Sequence, residues 1–262
     1  MRFTKMHGLG NDFLLVYGQV PQNAAALCSR WCDRRLGIGA DGVIFLSPSQ
    51  IADSRIRIFN ADGSEAKMCG NGIRCVGKFL YENGLVSKDQ MTVETLSGIK
   101  TLYLRSRNGQ VGTVAVDMGL GKLLQKDVPL LAETGTGIMI SMGNPHMVVF
   151  PKDPELISPQ VFGPQIENDP RFPGGINVEF VQVLSSSVLR MRVWERGCGV
   201  TPACGTGACA VAFAAVKQGI CSVDKPIEIR LDGGSLSVTV DTSDLVRMEG
   251  PAVTVFRGEI EV

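Results

Sequence analysis

The sequence predicts an α+β fold built twice over, with a curved sheet wrapped around one buried helix in each half of the chain. Three observations carry that prediction. At 262 residues the chain is long enough for one large domain or two of about 130 residues, since domains usually run ~100–200 residues. Two Cys-Gly-x-Gly turns, Cys69-Gly-Asn-Gly72 and Cys204-Gly-Thr-Gly207, each open a helical pattern. The turns stand at an offset of 135 (204 − 69), and their surroundings repeat at the same or nearly the same offset.

The first helical pattern runs Ile73-Arg-Cys-Val-Gly-Lys-Phe-Leu-Tyr-Glu-Asn-Gly84, with apolar residues at 73, 76, 79 and 80 and a glycine stop. The second, Ala208-Cys-Ala-Val-Ala-Phe-Ala-Ala-Val-Lys-Gln-Gly219, is apolar almost all round and reads as fully buried. Before each motif comes an alternating strand, Arg55-Ile-Arg-Ile-Phe59 with Asn60 and Leu189-Arg-Met-Arg-Val-Trp194 with Glu195. Gly10-Asn11-Asp12-Phe13 is echoed by Gly143-Asn144-Pro145-His146 at an offset of 133 (143 − 10). Further strands are expected at 12–17, 42–46, 91–95, 101–105, 113–117, 147–150, 178–184, 227–231, 235–240 and 253–258, punctuated by Gly, Asn, Asp or Pro. A helix is expected over 24–34 with Asn23 as its cap. Residues 153–173, rich in proline and charge, read as a surface excursion of the second half, and the join falls near 117–121.

Composition narrows the function. Lys plus Arg (26) balance Asp plus Glu (26), so no whole-molecule field draws the chain to nucleic acid or an anionic membrane. Hydrophobic residues make up 44%, and no run approaches the ~20 apolar residues a membrane helix needs. The start, Met1-Arg-Phe-Thr-Lys5, has no apolar signal core. Eight cysteines in this length are too dilute for a disulfide scaffold, so a cytoplasmic protein with reduced thiols is expected. None forms a Cys-x-x-Cys pair, and with histidine only at 7 and 146 no metal site is expected. Cys28, Cys32, Cys198 and Cys221 read as small buried hydrophobes, as do Cys75 and Cys209 on the helix bodies. His7 reads as a brace within its own turn.

Cys69 and Cys204 are different because each precedes a helix. Unpaired amides and the positive dipole end at a helix N-terminus stabilise thiolate, which predicts two thiols usable as bases near neutral pH. The amides of Gly70, Asn71, Gly205 and Thr206 are suited to closing on a carboxylate. A thiolate on one face of a stereocentre and a thiol on the other could remove a proton and return one to the opposite side.

These residues carry a resemblance. Asn60-Ala-Asp-Gly-Ser-Glu65 leading to Cys69-Gly-Asn-Gly72, Gly143-Asn-Pro-His146, and Glu195-Arg-Gly197 leading to Ala203-Cys-Gly-Thr-Gly207 resemble the diaminopimelate epimerases. The similarity extends from Lys5-Met-His-Gly-Leu-Gly-Asn-Asp-Phe13 to Gly250-Pro-Ala-Val-Thr-Val-Phe256. It implies two pseudo-symmetric barrel-like domains, here 1–117 with 251–262 and 118–250, with the active site in the cleft between them. It also implies cofactor-independent interconversion of LL- and meso-diaminopimelate, in lysine and peptidoglycan precursor biosynthesis. By that resemblance Cys69 and Cys204 are the acid–base pair, and Gly70, Asn71, Gly205 and Thr206 hold the reacting-end carboxylate. Asn11, Asn60, Asn144, Asn177, Glu195 and Arg196 hold the substrate, while His146 and Glu195 tune the cysteines. Arg196 suits a carboxylate and Glu195 an ammonium.

The sequence departs from the family pattern at Gly42, where some members carry a substrate-contacting Gln, and at Val200, where many carry Glu. Phe256 replaces a Tyr linked to dimerisation in some relatives, so the oligomeric state, homodimer included, stays open. Two other readings compete. A related two-cysteine proline or hydroxyproline racemase or epimerase would leave Glu195, Arg196 and several asparagines surplus. A non-enzymatic thiol redox or metal-binding protein would show no stereochemical activity.

Overall fold

The computed structural model describes residues 1–261, which divide into two units: residues 1–116 with 250 onward, and residues 117–249. The first unit opens on a hairpin, β1 (Arg2–Gly8) and β2 (Asn11–Tyr17). Its two-residue turn puts Leu9 and Gly10 at φ 56° and 87°, the pairing of two left-handed residues that matches strand twist in a tight hairpin. His7 Nδ1 accepts the Gly10 amide at 3.2 Å, bracing the turn as expected. Then follow α1 (Ala24–Cys32), β3 (Gly42–Ser47), β4 (Ser54–Asn60), β5 (Glu65–Ala66), α2 (Gly70–Glu82), β6 (Gln90–Thr95), β7 (Gly98–Arg107) and β8 (Gln110–Leu120).

The second unit runs through β9 (Lys122–Pro129), β10 (Thr136–Ser141), β11 (Pro145–Val149), α3 (Pro159–Glu167), β12 (Asn177–Ser185), β13 (Val188–Glu195), β14 (Gly199–Val200), α4 (Gly205–Lys217), β15 (Ile227–Leu231), β16 (Gly234–Val240) and β17 (Leu245–Pro251). The last strand, β18 (Val253–Glu259), returns to the first unit and pairs antiparallel with β1.

Internal repetition, inferred from short motifs, extends to the pairing of strands. In the first unit β2 and β3 are parallel, β3–β4 and β4–β5 antiparallel, and β4–β6 parallel. In the second unit β11–β12, β12–β13, β13–β14 and β13–β15 follow the same order of senses. Each unit therefore surrounds its central helix alike. Strands as far apart along the chain as β1 and β7 touch α2, and β10 through β13, β15 and β16 all touch α4. Ten of the thirteen residues of each helix are buried. Both helices end as the glycine stops predicted, with Gly84 and Gly219 at φ 67° and 72° and Leu85 and Ile220 amides returning to Leu80 and Ala215 carbonyls.

Three expectations need correction. Residues 153–173 are not a surface excursion. They contain α3, which occupies between β11 and β12 the place α1 holds between β2 and β3. Ile157, Ile166 and Phe172 are buried in a core cluster against which Trp194 packs. Pro159, Gly163 and Pro164 hide the helical period, although Pro159 stands where the helix needs no amide donor. Asn23 precedes α1 but makes no side-chain capping bond. Cys198 is exposed rather than core, because Gly197 and Gly199, at φ 75° and 79°, turn the chain at the surface on either side of it.

Two predictions arise from this packing. A Cβ at Gly163 would stand 2.5 Å from Trp194 Cβ and 2.7 Å from its Cδ2. Gly163→Ala is thus expected to lower unfolding stability by about 1–3 kcal/mol, the range for overpacked cores, read as a shift in urea midpoint. The buried thiols give a pH dependence. Burial pushes Cys28, Cys32 and Cys75 from an ordinary 9.0 up to about 12. A raised thiol value means the folded state keeps protons the unfolded state has released. Stability should therefore be complete below pH 9 and fall steadily toward pH 12, and a melting temperature unchanged across that window would refute it. No helix among the described residues is long and apolar enough to cross a membrane.

Candidate active site

In the first unit Cys69 is the extended residue (φ −137°, ψ 119°) that caps α2, and its sulfur accepts the Gly72 amide at 3.4 Å. A Cβ at Gly72 would meet Ile44 Cδ1 at 2.8 Å, so the last glycine of the motif lets the helix end pack closely against β3. The helix itself leaves its first amides without intrahelical acceptors. Asn11, at the start of β2, fixes the orientation of the thiol. Its Nδ2 donates to Asp41 Oδ2 at 2.7 Å, which turns Oδ1 toward the Cys69 sulfur at 3.6 Å and Asn71 Nδ2 at 3.2 Å. Asp41 is in turn held by Arg34, which also binds Asp12, whose carboxyl is kept below its usual range by Arg34 and Lys5 despite partial burial. Arg74, fully buried on α2, donates to the Gly70 carbonyl, Asn71 Oδ1 and the Pro251 carbonyl. Asn60 is exposed and donates to Ser64 Oγ at 3.0 Å within its own turn.

The second unit builds the same cap with different surroundings. Cys204 (φ −121°, ψ 112°) accepts the Gly207 amide at 3.4 Å and lies 3.6 Å from Thr206 Oγ1. Asn144 Nδ2 reaches Thr206 Oγ1 at 3.5 Å, and Asn144 Oδ1 meets His146 Nε2 at 3.1 Å. Glu195 accepts from the Thr201 hydroxyl, and its carboxyl acts electrostatically on the Cys204 thiol. Asn177 is a linker: its Nδ2 donates to the Pro145 carbonyl and its Oδ1 accepts the Arg196 amide, each at 3.0 Å. The Arg196 guanidinium is exposed and donates to the Gly174 carbonyl.

The sequence-based expectation of a low-value thiol fails at Cys204. Burial, reinforced by the carboxylates of Glu195 and Glu179, pushes it well above 9.0, and the Thr206 hydroxyl and Gly207 amide oppose that more weakly. Glu195 is also pushed up, by burial first and then by Glu179. The upward direction at Cys204 favours its protonated thiol. Glu179, fully buried and bonded to His146 Nδ1 at 2.7 Å, was not singled out by sequence. Its signal was an acid inside the apolar run Asn177-Val-Glu-Phe-Val181, two positions along the strand from Asn177 and so on the same face. Gly42 has no room for a longer side chain, because a Cβ there would stand 2.6 Å from the Phe59 carbonyl oxygen.

The sequence profile of diaminopimelate epimerases matches residues 3–124 and 138–255. The chain belongs to the diaminopimelate epimerase family. Similar relatives bear that name along their whole length: one from Phocaeicola vulgatus is 46% identical, covering 100% of this chain and 99% of its own. Another from Methanococcus maripaludis is 43% identical and covers 100% of both. Among solved structures, a probable proline racemase from Agrobacterium radiobacter K84 superposes with a TM-score of 0.77 at 18% identity, over 100% of this chain and 93% of that one. A Bacillus anthracis phenazine biosynthesis protein of the PhzF family also gives 0.77, at 17% identity and covering 100% and 99%. These two likenesses show the two-domain α+β fold that diaminopimelate epimerases share with racemases and PhzF proteins.

Proposed function

We infer that the chain epimerises LL-2,6-diaminopimelate to the meso form by a two-cysteine mechanism, as a cytoplasmic enzyme of lysine and peptidoglycan precursor biosynthesis. The observation that carries this reading is the repeated cap: one cysteine at the N-terminus of each buried helix, its sulfur bonded by a backbone amide, in a chain whose full-length relatives are named diaminopimelate epimerase. In the proposed step Cys69 thiolate takes the Cα proton and Cys204 thiol gives one to the opposite face. Nothing is oxidised, and the protonation states of the two cysteines are exchanged. The elevated thiol of Cys204 suits the donor role in this direction. The amides of Gly70, Asn71, Gly205 and Thr206 would stabilise the carboxylate beside the developing carbanion. Asn11, Asn60, Asn144, Asn177, Glu195 and Arg196 would hold the substrate, and no redox group or electron sink is required by this proton exchange.

The test is exchange in deuterated water under reducing conditions, with no pyridoxal phosphate or metal added. LL- or meso-diaminopimelate should acquire label at one α-carbon and interconvert, while proline should not. Label entering proline but not diaminopimelate would transfer the reading to the proline racemases, and label in neither would reject it.

A further inference from the structure

Glu179 has a place in the second unit that the mechanism above does not use. It is fully buried, Oε1 meets His146 Nδ1 at 2.7 Å, and Oε2 has no hydrogen-bond partner among the described residues. The charged or titratable groups facing it are His146 from β11, Glu195 from β13 and Cys204 at the start of α4. From Glu179 a line of contacts leads to the sulfur: His146 Nε2 to Asn144 Oδ1 at 3.1 Å, Asn144 Nδ2 to Thr206 Oγ1 at 3.5 Å, and Thr206 Oγ1 to Cys204 Sγ at 3.6 Å.

The direction of these bonds follows from what each atom can do. An amide oxygen only accepts, so His146 Nε2 must carry a proton. Asn144 Nδ2 then takes an acceptor position on Thr206, whose own O–H is left to point at the sulfur. With Nε2 protonated, Nδ1 and Glu179 share one further proton, as a carboxylic acid facing bare Nδ1 or a carboxylate facing imidazolium. In both forms the buried pair is neutral overall, which agrees with an Oε2 that nothing solvates. If that proton were lost, the remaining ring proton would face the carboxylate at Nδ1. Nε2 would become an acceptor, Asn144 would turn its NH2 toward it, and Thr206 would bond the amide oxygen instead of the sulfur.

We propose that Glu179 is a positioning residue for Cys204, holding the proton it shares with His146 so that Asn144 and Thr206 aim a hydroxyl hydrogen at the sulfur. This rests on the reading of Cys204 as an acid–base group, since such a donor matters each time the sulfur becomes a thiolate.

Histidine-selective 15N labelling tests it directly, because the chain has two histidines. In the wild type, ring-nitrogen spectra should show His146 carrying its proton on Nε2. Glu179→Ala should mix the tautomers and lower kcat about tenfold or more with little change in KM, a modest share of the effect of general acid–base catalysis. Glu179→Gln, whose amide can donate to Nδ1, should restore both Nε2–H and kcat to near wild type. A bare Nε2 in active wild type, unchanged kcat in Glu179→Ala, or a glutamine variant that folds but shows neither recovery would overturn the proposal. If Glu179→Ala does not fold, the wild-type spectrum and the glutamine variant decide. Failure of the wild type to label diaminopimelate is a separate result, which would sink the catalytic reading of Cys204.

Discussion

Cys204→Ser and Cys69→Ser are each expected to slow epimerisation by at least about 10²-fold, the lower range for loss of a general acid or base. A hydroxyl is a weaker acid than a thiol and provides almost no base near neutrality. The loss should fall on kcat with KM little changed, because proton transfer is made in the transition state rather than in substrate binding. Cys75→Ala and Cys209→Ala are the controls. Both lie on the same helices and are fully buried, so they should change stability while leaving the deuterium-exchange rate within about threefold, the behaviour of packing residues. Near-full activity in either serine variant would remove that cysteine from the mechanism.

Gly207→Ala is expected to damage both stability and rate. An added Cβ would stand 2.7 Å from Glu179 Oε1 and 3.3 Å from Cys204 Sγ. Neither neighbour gives way easily, since the carboxylate is bonded to His146 and the sulfur is tied to the Gly207 amide. Overpacking of this kind costs about 1–3 kcal/mol, and a displaced catalytic group can lose about 10²-fold in rate. The counterpart Gly72→Ala should be milder in stability, because its tightest contact is Ile44 Cδ1, the end of a side chain that can change rotamer. Paired urea unfolding and exchange rates check both. A Gly207→Ala protein with wild-type midpoint and rate would contradict the packing described around Cys204.

The central helices could be read from sequence because two independent signals agreed on each: a Cys-Gly-x-Gly opening and a glycine closing twelve positions after the motif (84 − 72 and 219 − 207). Strands such as β15, with Ile227, Ile229 and Leu231 buried, show their period in the residues themselves. By contrast β9 is exposed at almost every position, so no alternation of burial marks it, and β1 mixes Lys5 and His7 with its core residues. The prolines of α3 hid a helix whose burial depends on Trp194, a distant part of the chain. The thiol of Cys204 illustrates the same limit. Its helix terminus was visible locally, but the carboxyls of Glu179 and Glu195 arrive from β12 and β13, and only tertiary structure sets them against the helix effect.

The return of β18 to pair with β1 has a consequence for how the protein is made. Translation delivers the whole of residues 117–249 before it delivers the strand at 253–259 that the first unit needs beside β1. The part begun first is therefore the part closed last, with β1 lacking that antiparallel neighbour throughout synthesis of the other unit. An open strand edge is a template for pairing with other chains, so nascent protein stalled before residue 253 should be the form most dependent on chaperones.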